Sequence, residues 1–248
     1  MFKINMSDVD LLKSTVPILA EIIDEAVFKF NQNGISVFTP DRTMVSVIDF
    51  KLLSTAFDKY EISEEEDIGL NLSNLASVLK RIGSKDKIMI DFAGGNKLKF
   101  TVEGKSKRVF EIPVLNITSE TPPTDQLKFS GKIELDSGVI EEGISDADVI
   151  GDSVIFEASP GNFKMSAKND VSSTQLEVKK GDIGVHSIEA AEALRARYPL
   201  DYLKKMIKAS KLSKQTTLEF GTDFPLRINF KAIDKMHLSF ILAPRVEE

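Results

Sequence analysis

Apolar positions along this chain recur at one fixed distance. Shifted by 128 residues, Leu12 falls on Ile140, Val16 on Ile144, Phe28 on Phe156, Ile35 on Phe163 and Ile48 on Leu176. Further on, Leu75 falls on Leu203, Phe92 on Phe220, Phe100 on Ile228 and Ile112 on Phe240, and the basic Lys80 falls on Lys208. A single offset with no net gap marks two units built on one plan. Few of the paired residues are identical, so what repeats is the structure. The chain therefore divides into a domain over 1–115, a linker over 116–128 and a second domain over 129–248. The linker is polar and carries Pro122 and Pro123, as an exposed connection does.

Each half predicts the same run of elements. A short opening strand leads to a helix, over 8–22 in the first half, with Leu11, Leu12, Thr15, Ile18, Leu19 and Ile22 on one face. Its partner helix falls over 136–149. Strands follow at 26–30, 34–39 and 44–50, and Asn33-Gly34 reads as a hairpin turn, as does Pro160-Gly161-Asn162 in the second half. A second helix is expected over 72–82, capped by Asn71 or Ser73, with its partner over 200–212. Strands at 87–92, 97–103 and 108–114 close the first half, and strands at 216–220, 226–232 and 236–243 close the second. Two helices cover only one face of such antiparallel sheets, so the fold class is α+β.

Composition narrows the function classes. The 248 residues include no cysteine, which excludes a disulfide framework, thiolate metal sites and a cysteine nucleophile. That suits a reducing compartment. No apolar run reaches the roughly 18 residues that span a bilayer, and 1–4 lacks the stretch of a signal peptide. Net charge is −6, so any nucleic-acid role rests on local charge.

Local charge is uneven. Five lysines and no acid occupy 204–214, and Lys204, Lys208 and Lys211 recur at helical spacing, with Lys205 beside them. Lys13 lies on the first helix, and Lys80 and Arg81 on the second. These are either a solvated face or a phosphate-facing one, and the Lys80–Lys208 repeat favours the second. No aromatic residue interleaves them, which argues against a single-strand stacking platform. The third helix instead carries Glu141, Glu142, Asp146 and Asp148. Glu64–Asp67 reads as a solvated loop, since adjacent carboxylates rarely offer metal geometry. Ala93-Gly94-Gly95-Asn96 reads as a hairpin. The two histidines, His186 and His237, stand outside any nucleophile motif, and no phosphate-loop sequence is present, so an enzyme is the last class considered and no cofactor or metal is expected.

Several stretches resemble the proliferating cell nuclear antigen (PCNA) family of DNA sliding clamps, the archaeal members above all. They are Leu242-Ala243-Pro244-Arg245-Val246-Glu247-Glu248, Tyr202-Leu203 followed by Ser210-Lys211-Leu212-Ser213, Phe224-Pro225-Leu226, and Gly34 with Asp41, Val45-Ser46 and Asp49. The resemblance spans the whole chain. It implies a closed trimeric ring of six such domains, with the helices lining a hole for double-stranded DNA, read without regard to sequence. It places the chain with chromosomal DNA in the cytoplasm, or in the nucleus of a eukaryote. DNA polymerase, clamp loader, flap endonuclease and DNA ligase would dock through short peptides with a Gln and two aromatics. The positions that match the family's peptide pocket are Pro40, Met44, Val45, Val47, Pro225, Ile241, Ala243 and Pro244, roofed by 117–123. The matching subunit interface brings Arg108, Phe110 and Ile112 of one chain to Thr174, Leu176 and Val178 of the next. Glu142 and Asp146 then either pair with Arg81 or Arg108 of a neighbour or form a solvated acidic face. Two alternatives stay open: membership of a heterotrimer, and a peptide-binding adaptor of the same fold that encircles nothing.

Overall fold

The computed structural model describes residues 1–118 and 122–246. The first half runs β1 (Phe2–Met6), α1 (Asp10–Ala20), β2 (Glu25–Asn31), β3 (Gly34–Pro40), β4 (Ser46–Leu53), β5 (Lys59–Ile62), β6 (Glu66–Asn71), α2 (Leu72–Lys80), β7 (Lys87–Phe92), β8 (Lys97–Glu103) and β9 (Lys107–Pro113). The second runs β10 (Gly131–Asp136), α3 (Ser137–Ile150), β11 (Ser153–Ser159), β12 (Asn162–Lys168), β13 (Ser173–Lys179), β14 (Val185–Ala190), β15 (Leu194–Pro199), α4 (Leu200–Met206), β16 (Gln215–Phe220), β17 (Leu226–Ala232) and β18 (Met236–Leu242). Moved by 128, β2 becomes β11, β3 becomes β12, β6 becomes β15 and β7 becomes β16 to the residue. The class is α+β, with antiparallel sheets and, among the described residues, four α-helices.

By its contacts the chain forms two compact units that exchange short segments. Met1–Arg42, Ile48–Pro122 and Ala232–Leu238 make the first; Thr43–Val47, Pro123–Lys231 and Ser239–Glu248 make the second. In the first unit one sheet has the order β5-β1-β7-β8-β9, and β3-β2-β6 pair in another. In the second unit β13-β12-β11-β15 form a four-stranded sheet, and β14-β10-β16-β17 pair alongside. Helix α1 packs beside α2, and α3 beside α4.

The repeated apolar positions are the core positions. Leu12, Val16, Phe28, Leu75, Leu79 and Phe100 are buried in the first unit, and Ile140, Ile144, Phe156, Leu203, Ile207 and Ile228 in the second. In the second unit Phe156 stands edge-on to Phe163, Tyr198 and Phe220, at 5.6, 5.4 and 6.1 Å between centroids. Burial pushes the Tyr198 phenol pKa up, and its hydroxyl donates to the Phe224 carbonyl at 2.7 Å.

The turn residues behave as their chemistry requires. Gly34 closes the β2–β3 hairpin with φ +138°, and its Cβ position would meet the Leu52 carbonyl at 2.1 Å, so only glycine fits. Asn71 caps α2, its side chain accepting from the Asn74 N–H at 2.9 Å. Asn71→Ala is expected to cost about 1 kcal/mol and Asn71→Asp much less. Urea unfolding checks this, and equal midpoints for wild type and Asn71→Ala would contradict it.

Two expectations change. Glu66 and Asp67 are not loop residues; they open β6, where they pair with Phe30 and Lys29, and Glu66 accepts from the N-terminal ammonium at 2.6 Å. The helix over 200–212 is α-helical only to Met206, and Ile207–Leu212 continues as a 3-10 helix. The region expected as linker has a 3-10 turn at Thr124–Gln126, and residues 119–121 lie outside the described residues.

Candidate functional site

Three surfaces carry the candidate residues. The first is basic. In the first unit Lys80 and Arg81 are exposed at the C-terminal end of α2, where the helix dipole favours cations. Lys13 is more covered and lies 3.9 Å from Asp10. In the second unit the switch to 3-10 geometry rearranges the lysines. Lys208 and Lys211 are exposed and three apart, so they stand one above the other, because a 3-10 helix repeats every three residues. Lys204 is drawn away to Asp148 of α3 at 2.8 Å, and Lys205 lies over the Tyr202 ring at 5.5 Å. Lys204 thus leans towards α3, while Lys208 and Lys211 follow the three-residue repeat of the 3-10 turn.

The acids of α3 are partly matched within the chain. Asp148 sits at the negative end of the helix dipole, an unfavourable place that the Lys204 ammonium offsets. Glu141 accepts from the Ser210 hydroxyl at 2.9 Å. Glu142 and Asp146 are exposed.

The second surface is a cavity of about 630 Å³ in the second unit. Val45, Ala243 and Pro244 line it, together with Tyr202, Pro199 and Leu200. The Ala243 N–H donates to the Val45 carbonyl at 2.9 Å and fixes the two segments side by side. Its rim is charged: Asp148 pairs with Lys204, and Asp152 pairs with Arg245 at 2.7 Å. The Arg245 hydrogen bond holds the Asp152 carboxyl below its usual pKa. An apolar floor with a few fixed polar groups is what a short peptide side chain requires. The other expected pocket residues are not among the residues lining this cavity. Met44 is 57% exposed at φ +59°. Val47 and Pro225 are half-buried, and Ile241 is buried. Pro40 lines a different cavity, of about 740 Å³, in the first unit with Asp24, Arg42 and Ile117. Asp152 and Lys204 were legible only as surface charges.

The third surface is a pair of sheet edges. β9 ends the five-stranded sheet and β13 ends the four-stranded one, each seven residues long. The β6 and β15 edges are partly covered. Leu115 N–H donates to the Gly69 carbonyl of β6, and Asp223 and Arg245 N–H groups donate to the Arg195 and Arg197 carbonyls of β15. On β13 the Lys179 carbonyl accepts from the Asp182 N–H at 3.0 Å; among the described residues no other strand pairs with the outer side of β9 or β13. On β9 Phe110 is half-buried and Ile112 buried; on β13 Thr174, Leu176 and Val178 are half-buried. Arg108 is already engaged, with Asp86 at 2.5 Å and the Arg81 carbonyl at 2.8 Å.

A family model described as "Proliferating cell nuclear antigen, N-terminal domain" matches residues 1–119, and one described as "Proliferating cell nuclear antigen, C-terminal domain" matches 124–245. The chain belongs to the proliferating cell nuclear antigen family. Within that family it is 35% identical over 229 residues to a DNA polymerase sliding clamp of Thermococcus gammatolerans, covering 92% of each chain. It is 32% identical over the same length and coverage to the DNA polymerase sliding clamp of Pyrococcus furiosus. The crystal structure of PCNA from Thermococcus kodakaraensis superposes with a TM-score of 0.92 at 26% identity, covering 99% of this chain and all of that one. The PCNA2-PCNA3 complex from Sulfolobus tokodaii contains a chain that superposes at 0.90, again with 26% identity, 99% of this chain and all of that one.

Proposed function

We propose that this PCNA-family chain is one subunit of a closed three-membered ring that encircles duplex DNA and tethers replication and repair enzymes to it. The observation that carries this is a pair of seven-residue edge strands, β9 and β13, one in each repeat, with no strand paired to their outer sides among the described residues. A chain with two different, mutually complementary edges joins neighbours head to tail, and such contacts close into rings. Three two-domain chains supply six repeats. The α-helices face the hole in this arrangement, and Lys80, Arg81, Lys208 and Lys211 meet phosphates there. A ring holds DNA by topology, so these contacts need be only weak and blind to sequence, which lets it slide. Tethering then raises the effective concentration of a bound enzyme at its DNA. The ring itself performs no chemistry. Membership of the clamp family and the polar chemistry of the three surfaces support a non-catalytic role. Gel filtration with light scattering tests the assembly: a mass near three times the 27.5 kDa of the chain is expected, and a stable monomer would contradict it.

The cavity at Val45, Ala243 and Pro244 is the docking site for short peptides with a Gln and two aromatics. Such peptides would come from DNA polymerase, the clamp loader, flap endonuclease and DNA ligase. Binding at about micromolar strength corresponds to about −8 kcal/mol. Val45 is half-buried, so Val45→Asp leaves the fold intact but sets an unpaired carboxylate on the apolar wall. At least a tenfold loss of peptide affinity by calorimetry is expected, about 1.4 kcal/mol. Equal binding by both proteins would move the docking site elsewhere.

A further inference from the structure

The cavity and the basic stretch share one helix. In α4, Leu200, Asp201, Tyr202 and Lys204 line the cavity, while Leu203 and Met206 are buried in the core. Two lysines of this helix are held by cavity residues. Lys204 reaches Asp148 at 2.8 Å, and the Lys205 ammonium lies 5.5 Å from the centre of the Tyr202 ring. The Tyr202 and Thr43 hydroxyls share a hydrogen bond at 2.8 Å, which fixes the ring from its far end. Every one of these residues belongs to the second unit.

Both holds are weak and open to exchange. The Lys204 and Asp148 side chains are 48% and 40% exposed, and an ion pair so exposed contributes little. A single cation over a half-buried ring is likewise weak. An occupant of the cavity competes for both partners. Asp148 lies in the last turn of α3, where unbonded carbonyls already gather negative charge. An amide N–H from a peptide takes the ammonium's place there, and an aromatic side chain takes the face of Tyr202. Lys204 itself lines the cavity, so its side chain must yield volume to whatever enters.

Displaced lysines have somewhere to go. Lys204 and Lys205 stand four and three residues before Lys208, the separations at which side chains on a helix are neighbours. Lys208 and Lys211 are exposed. Freed ammonium groups therefore join cations already turned to solvent. Lys204, Lys205, Lys208 and Lys211 together attract phosphate more strongly than the last two alone.

We propose that filling the cavity releases Lys204 and Lys205 to DNA, so that peptide and DNA each strengthen the other's binding. This rests on the docking and encircling readings above. The coupling runs both ways by thermodynamic necessity. Its size follows from the two weak holds, about two- to fivefold in either affinity. Each lysine recruited adds about 0.9 to the magnitude of the salt slope of DNA binding. An empty subunit thus grips DNA loosely, and a subunit carrying a partner grips it more firmly.

The test uses the full chain, a short synthetic peptide with one Gln and two Phe residues, and a short DNA duplex. Acetylation by a water-soluble succinimidyl ester, followed residue by residue by mass spectrometry, reports each free ammonium. Peptide alone is expected to raise the rates at Lys204 and Lys205 relative to Lys80, which lies in the first unit. By calorimetry, duplex is expected to tighten the peptide by about two- to fivefold. In Lys204→Ala/Lys205→Ala this gain from duplex should vanish. Rates at Lys204 and Lys205 that stay flat or fall while the peptide binds would overturn the release and leave the docking site standing. Raised rates with no tightening by duplex would overturn the recruitment to DNA. Tightening that persists in the double variant would overturn the role of these two lysines. Peptide binding unchanged by Val45→Asp would instead remove the docking site itself, and this coupling with it.

Discussion

Phe110→Ala is expected to yield a folded chain that no longer assembles. Phe110 is half-buried on an edge strand, while its neighbour Ile112 is buried. Its in-chain partner across the ladder is Phe100, which is already covered. Losing the outer part of the ring therefore costs the isolated chain little, and its thermal midpoint should stay near that of wild type. At the junction the loss is on the order of 2 kcal/mol of apolar burial, about thirtyfold in affinity, and a closed ring feels it at every junction. Sedimentation velocity at micromolar concentration should find single chains. An intact trimer would remove Phe110 from the interface, and loss of cooperative unfolding would make it a core residue instead. Arg108→Glu probes something different. It sets a carboxylate against Asp86, so it disturbs the β7–α2 corner of the same chain before it touches any neighbour.

The second large effect concerns DNA. Lys80→Ala, Arg81→Ala, Lys208→Ala and Lys211→Ala, combined, should lower polymerase stimulation on DNA by on the order of tenfold to a hundredfold without changing the assembled mass. Each cation withdrawn from a phosphate should reduce the magnitude of the salt slope by about 0.9. Lys204→Ala and Lys205→Ala are the internal control. Lys204 is engaged by Asp148 and Lys205 rests on Tyr202, so removing them should change the slope far less. Salt titrations of DNA binding separate the two sets. Equal slopes for the quadruple variant and wild type would make these side chains ordinary surface.

Much of this fold is legible in the residues because the same pattern is written twice. A strand such as β2 is marked by its own apolar run and again by β11 at the fixed offset, and the expected 26–30 falls one residue inside each end of the observed Glu25–Asn31. Strands without such marks escape. β5 has four residues, and β6 opens on Glu66 and Asp67, whose charge suggests solvent although their backbone pairs with β2. The 3-10 stretch after α4 escapes for another reason: nothing in Ile207–Leu212 forbids an α-helix, so the tighter form carries no mark in the sequence. Of the cavity, Val45, Ala243 and Pro244 carry an apolar mark in the sequence, but the Asp152–Arg245 and Asp148–Lys204 pairs on its rim join residues far apart in sequence. Spacing along one chain carries no signal for such pairs. The edges were visible as alternating strands, yet the partial cover of β6 and β15 became plain only from the backbone bonds of Leu115, Asp223 and Arg245.

The most direct test of a clamp is topological. The protein is loaded by a clamp loader and ATP onto a nicked circular plasmid, passed through a sizing column, and the plasmid is then cut once. A ring that encircles DNA must stay on the circle through the column and slide off the free ends within minutes of the cut. Protein that remains on the linear DNA to the same extent as on the circle would be bound to its surface, and the encircling function would be wrong.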